Sequence, residues 1–141
     1  MIDKNDFSET LSFPSTIDQV AKADEFLETL LRKAGIPEDT IANLAIAVTE
    51  LVNNAIKHGN KLNKDKSVTV SLICAPDKIE ISVADQGEGF DPDSIPDPLA
   101  EENLMKEIGR GIFIVNSLID EVRYRFPSGG GTVVTLIKYI G

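Results

Sequence analysis

Two stretches in the first half of the chain carry apolar residues at helical spacing. The first runs from Ile17 to Ala34, with Ser15 or Thr16 as its N-cap. The second runs from Pro37, whose fixed φ suits a first helical turn, to a glycine at Gly59. Its apolar stripe consists of Ile41, Leu44, Val48, Leu51 or Val52, and Ala55. The pattern therefore predicts two consecutive amphipathic helices.

After a polar linker at 60–66, apolar and polar residues alternate with the period of a β-strand. The segments with this alternation, including a short one near the N-terminus, are Phe7 to Phe13, Val68 to Cys74, Ile79 to Asp85, Val122 to Phe126 and Thr132 to Ile140. Helical spacing returns once, directly after Gly109-Arg110-Gly111. The segment 91–108 is rich in proline and acidic residues, and it is predicted to be a loop.

This order of elements predicts the fold class. Two helices, a hairpin, a loop, a third helix and a second hairpin favour an α+β fold of two layers. In this fold a mostly antiparallel sheet is covered on one face by about three helices. The length of 141 residues is typical of one domain. We therefore expect residues 1–141 to form a single domain.

The charge balance limits the partners. The chain has 14 Lys and Arg against 23 Asp and Glu, a net charge of −9. This balance argues against binding of nucleic acid or anionic lipid and favours a basic protein partner. A single cysteine, Cys74, cannot form an internal disulfide, and neither a membrane span nor a signal-peptide core is visible. We expect a cytoplasmic protein that binds neither nucleic acid nor membranes.

Three polar residues follow one another along one side of the second helix. Glu50, Asn54 and His58 are spaced four residues apart, away from the apolar stripe. An amide oxygen suits Mg²⁺, and a carboxylate one turn earlier could take a proton from a hydroxyl group. A solvated helix face would have the same spacing, and His58 could simply pack or cap the helix end.

Asp85 shares its parity with three apolar residues of its strand and is therefore expected to point towards the core. A buried carboxylate needs a partner, and Gly87 and Gly89 would let a planar ligand approach the backbone. The alternative is an aspartate that caps its own turn.

Gly109-Arg110-Gly111 at the start of the third helix is suited to anion binding, because glycines expose backbone N–H groups and Arg110 adds a guanidinium. Glycine also precedes many helices without binding anything, so this feature is weak alone. Better-known nucleotide motifs are absent, since no Gly-Lys pair provides a Walker A loop. One histidine and one cysteine exclude a Cys/His zinc site.

Taken in order, four stretches resemble the ATP-binding motifs of the GHKL superfamily, which includes gyrase B, Hsp90, histidine kinases and MutL. These stretches are Glu50 to Gly59, Asp85 to Pro92, Gly109 to Phe113, and Gly131-Thr132. The short loop at 91–108 and the phrase from Gly111 to Val122 are most similar to anti-sigma factor serine kinases of bacterial partner-switching systems. The resemblance covers Phe13 to Tyr139 and implies the Bergerat type of α+β sandwich.

The resemblance also implies roles for individual residues. Glu50 would be the general base, Asn54 the Mg²⁺ ligand, and Asp85 the acceptor for the exocyclic amine of adenine. The loop at 91–108 would be the ATP lid. The implied nucleotide-binding residues are Asn54, His58, Asp85, Gly87, Gly89, Gly109, Arg110, Gly111 and Thr132. The phosphate role of Arg110 comes from its chemistry, because related kinases often carry an apolar residue there.

The implied function is that of a serine/threonine protein kinase and anti-sigma factor that requires ATP and Mg²⁺. It would phosphorylate an anti-anti-sigma protein with a STAS domain, hold a sigma factor inactive, and act as a homodimer. The alternative is a non-catalytic module in which ATP or ADP only sets the affinity for a protein partner. Glu50 favours the kinase, because a pure binder needs no general base.

Overall fold

The computed structural model describes residues 7–87 and 113–140, and one antiparallel sheet runs through both ranges. Its strands are β1 (Phe7–Pro14), β2 (Ser67–Cys74), β3 (Lys78–Ala84), β4 (Glu121–Arg125) and β5 (Val133–Tyr139). The strand order is β1-β2-β3-β5-β4, and every neighbouring pair is antiparallel. The predicted strands, including the short one near the N-terminus, are confirmed.

The helices lie on one face of this sheet. They are α1 (Gln19–Lys33), α2 (Glu38–Asn54), a π-helical turn (Ala55–Gly59) that continues α2, and α3, whose described part is 113–118. One hydrophobic core joins helices and sheet. Its largest fully buried side chains include Leu27, Leu31, Ile41, Leu44, Ile56, Leu72, Ile79, Ile81 and Leu136. The predicted α+β class is therefore confirmed.

Alternation along β2 and β3 decides which side chains enter this core. Val68, Val70 and Leu72 are fully buried, as are Ile79 and Ile81 on the paired strand. The residues between them are less buried and face the other side of the sheet, because successive side chains of a strand point in opposite directions. None of the helices in the described ranges is both long and apolar enough to cross a membrane.

The predicted N-cap of α1 is wrong. The cap position belongs to Asp18, which makes no side-chain capping hydrogen bond. Ser15 is fully buried instead, and its hydroxyl donates a hydrogen bond of 2.6 Å to the carbonyl of Lys66. The Ser15 hydroxyl, which the local pattern predicted to cap the helix, therefore bonds to a residue distant in sequence.

The second helix ends at Gly59 as predicted, but its last turn has a different geometry. Its last turn has π geometry, in which the N–H of Asn60 donates to Ala55 O at 2.8 Å. Such single π turns inside or after α-helices are rare and occur often at functional sites. The chain then passes through two residues in the left-handed region, Lys61 (φ 53°) and Leu62 (φ 60°). Asn60, part of the predicted polar linker, is only 1% exposed.

Candidate functional site

The last turns of α2 carry the first predicted group of site residues. Glu50 and Asn54 are half-buried, one helical turn apart. His58 is also half-buried, on the π turn that leads to Gly59. The expected polar stripe is therefore present on the helix, with its final member displaced from α-helical to π geometry.

Asp85 lies directly after β3, beside the start of β5. Its N–H donates to Thr132 O at 3.0 Å, which extends the β3–β5 pairing by one residue. Its carboxylate Oδ1 accepts hydrogen bonds from the N–H groups of Gly87 (2.9 Å) and Thr132 (3.2 Å). Asp85 thus caps its own turn and, half-buried, also follows the parity of the apolar residues of β3. The turn cap is therefore confirmed, and the contact with a planar ligand stays a prediction.

Burial raises the pKa of Asp85 above its ordinary value. The N–H groups of Gly87 and Thr132 and the charge of Lys66 act in the opposite direction, because each favours the ionised carboxylate. Desolvation is the largest of these effects. The protein therefore holds this carboxylate where a further hydrogen-bond donor would stabilise its charged form.

Three glycines make close backbone contacts around Asp85. A Cβ on Gly59 would overlap the Asp85 carboxylate at Oδ2, and a Cβ on Gly131 (φ +89°) would overlap the Asp85 carbonyl. A Cβ on Gly87 would overlap the carbonyl of Gly59. Gly131 also donates its N–H to Gly87 O at 2.7 Å. The end of the second helix, the end of β3 and the start of β5 therefore meet at Asp85, and three of the four sequence motifs converge there.

A sequence profile of the histidine kinase-like ATPase domain matches residues 13–138 of the chain. The chain belongs to this family. It is 32% identical over 137 residues to a serine-protein kinase RsbW of Listeria monocytogenes, covering 93% of this chain and 86% of the relative. The RsbW of Staphylococcus aureus is 32% identical over 148 residues, covering 99% and 91%. The predicted superfamily and the enzyme class, a protein kinase, are confirmed at the level of the family.

Solved structures of histidine kinase-like ATPase domains confirm the fold. A Mycobacterium tuberculosis protein with RsbU and RsbW domains aligns with a TM-score of 0.68 at 22% identity, over 94% of this chain and 32% of that one. The catalytic domain of histidine kinase ThkA aligns with a TM-score of 0.55 at 16% identity, over 93% and 97%. The two-layer sandwich predicted from the order of elements is the fold of these proteins.

The residues around Asp85 fit the adenine of the ATP that this ATPase family implies. Both hydrogen bonds that described residues donate to the Asp85 side chain reach Oδ1, which leaves Oδ2 as an acceptor for an exocyclic amine. Thr132 is 1% exposed, and its hydroxyl has no hydrogen-bond partner among the described residues. A buried polar atom in this state costs free energy unless a ligand or water satisfies it.

The metal side of the site rests on few protein ligands. Within residues 7–87 and 113–140, no group of three or more His, Cys, Asp or Glu side chains could hold a metal ion. Mg²⁺ does not require such a group, because it commonly binds one or two protein oxygens together with substrate phosphates and water. The half-buried amide of Asn54 is compatible with that mode.

Part of the predicted site lies outside the described residues of this ATPase domain. This applies to Gly89, to the phosphate-binding stretch Gly109-Arg110-Gly111, and to the lid predicted at 91–108. Their roles stay predictions from the sequence.

Two residues near the site had escaped sequence reasoning. Asn60 accepts a hydrogen bond from the N–H of Gln86 at 2.7 Å, and the Gln86 side chain accepts one from the N–H of Ser67 at 2.6 Å. The sequence places Asn60 in the polar linker at 60–66, and asparagine is mostly exposed in proteins. Its position directly after His58-Gly59, at a helix end that must contact Asp85, was the only available signal.

Proposed function

We propose that this protein is an ATP-dependent serine/threonine kinase of the partner-switching type. It would transfer the γ-phosphoryl group of ATP, with Mg²⁺, to a serine or threonine of an anti-anti-sigma protein with a STAS domain. In its other state it would hold a sigma factor inactive. Mg²⁺ would neutralise the charge that develops on the phosphate oxygens.

The observation that carries this proposal is the contact between two motifs distant in sequence. The end of the helix that bears Glu50 and Asn54 packs through Gly59 against the carboxylate of Asp85. One ligand could therefore bind Asp85 with its base and extend its phosphates along the helix towards Asn54. A nucleoside triphosphate has such a division between a base end and a phosphate end.

Each residue of the chain has a distinct task in this proposal. Asp85 accepts the adenine amine, with Gly87 shaping the pocket and Thr132 offering its buried hydroxyl to the base. Asn54 binds Mg²⁺, and His58 lines the same side of the helix end. Glu50 takes the proton from the attacking hydroxyl group, which raises its nucleophilicity. The phosphate contacts of Gly109, Arg110 and Gly111, the pocket role of Gly89 and the lid at 91–108 belong to the proposal on the strength of the sequence.

We also propose that the kinase is a homodimer that associates through the open face of the sheet, the face opposite the helices. Two neighbouring rows of side chains lie in the middle of this face, with positions taken from the strand register. The rows are Thr10, Ser71, Ser82, Thr135 and Arg123, and Ser12, Thr69, Ala84, Val133 and Arg125. They contain no carboxylate, whereas the next row contains Glu80 and Glu121, so two copies with a net charge of −9 could approach most closely over the two middle rows.

The experiment that tests the kinase measures phosphoryl transfer. The full chain is incubated with γ-labelled ATP, Mg²⁺ and a purified STAS-domain protein encoded next to it. We expect label on a serine or threonine of that protein. Glu50→Gln should reduce the rate by at least about 100-fold, the usual contribution of general base catalysis, with ATP affinity within about threefold of wild type.

Glu25→Gln, on the exposed side of α1, makes the same change of charge away from the site and should leave the rate unchanged. If the wild type bound ATP tightly without transferring phosphate, the non-catalytic nucleotide-binding module would be the correct hypothesis and the kinase would not. A Glu50→Gln variant that loses ATP affinity instead of rate would contradict the general-base role.

A further inference from the structure

We propose that Asn60 is a positioning residue that holds Asp85 against the end of the second helix and so sets the preference for adenine. This inference rests on the proposed binding of adenine at Asp85. Nothing in the four ATP-binding motifs includes Asn60, which follows the first motif by one residue.

Every polar group of the Asn60 side chain is used. Its Nδ2 donates to Ser15 Oγ at 2.7 Å and to Ser67 O at 3.0 Å. Its Oδ1 accepts from Gln86 N at 2.7 Å. Because the side chain is 1% exposed, water does not readily replace any of these bonds.

The bond to Gln86 is the one that reaches the site. Gln86 stands between Asp85 and Gly87. The Asp85 carboxylate contacts Gly59, and Gly87 contacts the carbonyl of Gly59 and donates its N–H to the Asp85 carboxylate. The backbone of Asn60, in turn, closes the π turn through its bond to Ala55 O at 2.8 Å. Asn60 therefore ties the backbone on one side of the site to the backbone on the other side.

Only an amide fits this position. Gln86 N requires an acceptor, whereas Ser67 O requires a donor, and asparagine supplies both from one short side chain. Aspartate would keep the acceptor but place an oxygen against the carbonyl of Ser67. Alanine would remove both groups and leave the N–H of Gln86 without its partner.

The other two partners of Asn60 anchor it from the opposite side. Ser15, directly after β1, accepts a hydrogen bond from Asn60 Nδ2, and its hydroxyl donates to Lys66 O at 2.6 Å. The bond to Ser15 stabilises the fold around Asn60 and does not touch the segment of Asp85, whereas Ser67 also donates its N–H to the side chain of Gln86. The bond to Ser15 is therefore the stabilising half of the network and the bond to Gln86 is the positioning half, and a Ser15 variant addresses the first alone.

The test compares the dissociation constants of ATP and inosine triphosphate for the full chain. Inosine has a carbonyl oxygen where adenine has its amine, so an ionised Asp85 should disfavour it. We expect wild type to bind ATP about 10-fold to 100-fold more tightly, as for one hydrogen bond to a charged group. Asn60→Ala should reduce this ratio at least about fivefold, because Asp85 is no longer held at the base.

Three further variants keep the test decisive. Asn60→Asp retains the acceptor for Gln86 and should keep the ratio near wild type despite a lower melting temperature. Ser15→Ala removes only the stabilising half and should keep it as well. Asn60→Ser, whose side chain is too short to reach Gln86, serves as the second loss variant if Asn60→Ala does not fold.

The outcomes separate this inference from the proposed function. A wild type without preference for ATP, or an unchanged ratio in Asp85→Asn, would contradict adenine binding at Asp85 itself. A preference that depends on Asp85 but persists in Asn60→Ala or Asn60→Ser would overturn the positioning role alone. Equal loss of the ratio in Ser15→Ala and Asn60→Ala would also overturn it, since general destabilisation would then explain both.

Discussion

Asp85 caps its own turn and, in the proposed function, also accepts the amine of adenine. One oxygen of its carboxylate holds the local backbone through Gly87 and Thr132, and the other faces Gly59. Local fixation by Oδ1 orients the carboxylate without using its full capacity to accept hydrogen bonds. The turn cap therefore leaves one oxygen for the proposed contact with adenine, so the two interpretations of the sequence do not exclude each other.

Replacing this carboxylate by an amide should separate binding from stability. We expect Asp85→Asn to weaken ATP by about 10-fold to 100-fold, because a hydrogen bond to a charged acceptor is lost. The free energy of unfolding at neutral pH should not fall, since the buried charge is removed while an acceptor for Gly87 and Thr132 remains. Isothermal titration calorimetry and urea unfolding measure the two quantities.

Asp77→Asn is the matched control, because Asp77 is exposed in the turn between β2 and β3. It should alter neither quantity. Unchanged ATP affinity in Asp85→Asn would mean that adenine is bound elsewhere.

The same substitution should also change the dependence on pH. The folded-state pKa of Asp85 lies above its unfolded value, so the folded protein binds more protons in the interval between the two. The contribution of Asp85 to stability therefore falls as the pH rises through this interval, and Asp85→Asn lacks this slope. ATP affinity should instead fall as the pH is lowered through this interval, because protonation neutralises the acceptor.

Single residues were predicted where a local rule was sufficient. The parity of β3 correctly turned Asp85 inward, and the apolar stripe of α2 correctly identified its buried side. The burial of Asn60 and Ser15 was not predicted, because their hydrogen-bond partners, Gln86 N and Lys66 O, come from segments 26 and 51 residues away. No local pattern contains those partners.

At the level of elements, the end of the second helix is the least regular part of the described structure. Lys61 and Leu62 both adopt left-handed backbone angles, which cost non-glycine residues roughly 1–2 kcal/mol each. The N–H of Leu62 nevertheless donates to Ile56 O at 2.7 Å, which closes the turn. This return of the chain is what directs Asn60 into the protein.

Leu62→Gly should therefore stabilise the protein. Leu62 is 55% exposed, so little buried apolar surface is lost, and glycine adopts φ of 60° without a steric penalty. We expect the free energy of unfolding to rise by about 0.5–1 kcal/mol after the greater unfolded-state entropy of glycine is subtracted. Leu62→Ala keeps the Cβ and should not stabilise. A glycine variant less stable than the alanine variant would contradict the backbone strain, because both variants lack the leucine side chain beyond Cβ.

Periodicity predicted the identity of the elements better than their ends. Alternation identified both strands of the first hairpin, because the inner side chains of β2 and β3 are apolar throughout. The π turn was not predicted, since its i→i+5 bond depends on where Gly59 must meet Asp85 and not on the residues inside the turn. Tertiary contact decided the geometry of that end.

At the scale of the whole molecule, the sheet order creates the site. β5 lies between β3 and β4, which brings Thr132 beside Asp85 although 47 residues separate them. The sequence predicted two hairpins, but it did not specify how they join, because either strand of the second could have paired with β3. The site at the joint was therefore recognisable from its motifs and not from its topology.

The open face of the sheet allows a test of the proposed homodimer. We expect sedimentation equilibrium to show a dimer for wild type, and Ser71→Lys to shift it towards monomer because a charge within the face would be buried unpaired. This change makes the chain less negative, so general repulsion cannot explain dissociation. Ser117→Lys, on the exposed side of α3, adds the same charge and should remain dimeric. A monomeric wild type would contradict the homodimer, and a dimeric Ser71→Lys would contradict this interface.

The three glycines at Asp85 also set a limit for chemical genetics. Enlarging an ATP pocket to admit a bulky nucleotide analogue usually begins by trimming a side chain, but Gly59, Gly87 and Gly131 have none to trim. Of the described residues that hydrogen-bond to one another at the Asp85 carboxylate, only Asp85 and Thr132 have a side chain to shorten, and shortening Asp85 removes the proposed acceptor for the base. An analogue-selective version of this kinase would therefore be built from Thr132→Ala or Thr132→Gly, with the bulky group attached at the edge of adenine that faces this residue.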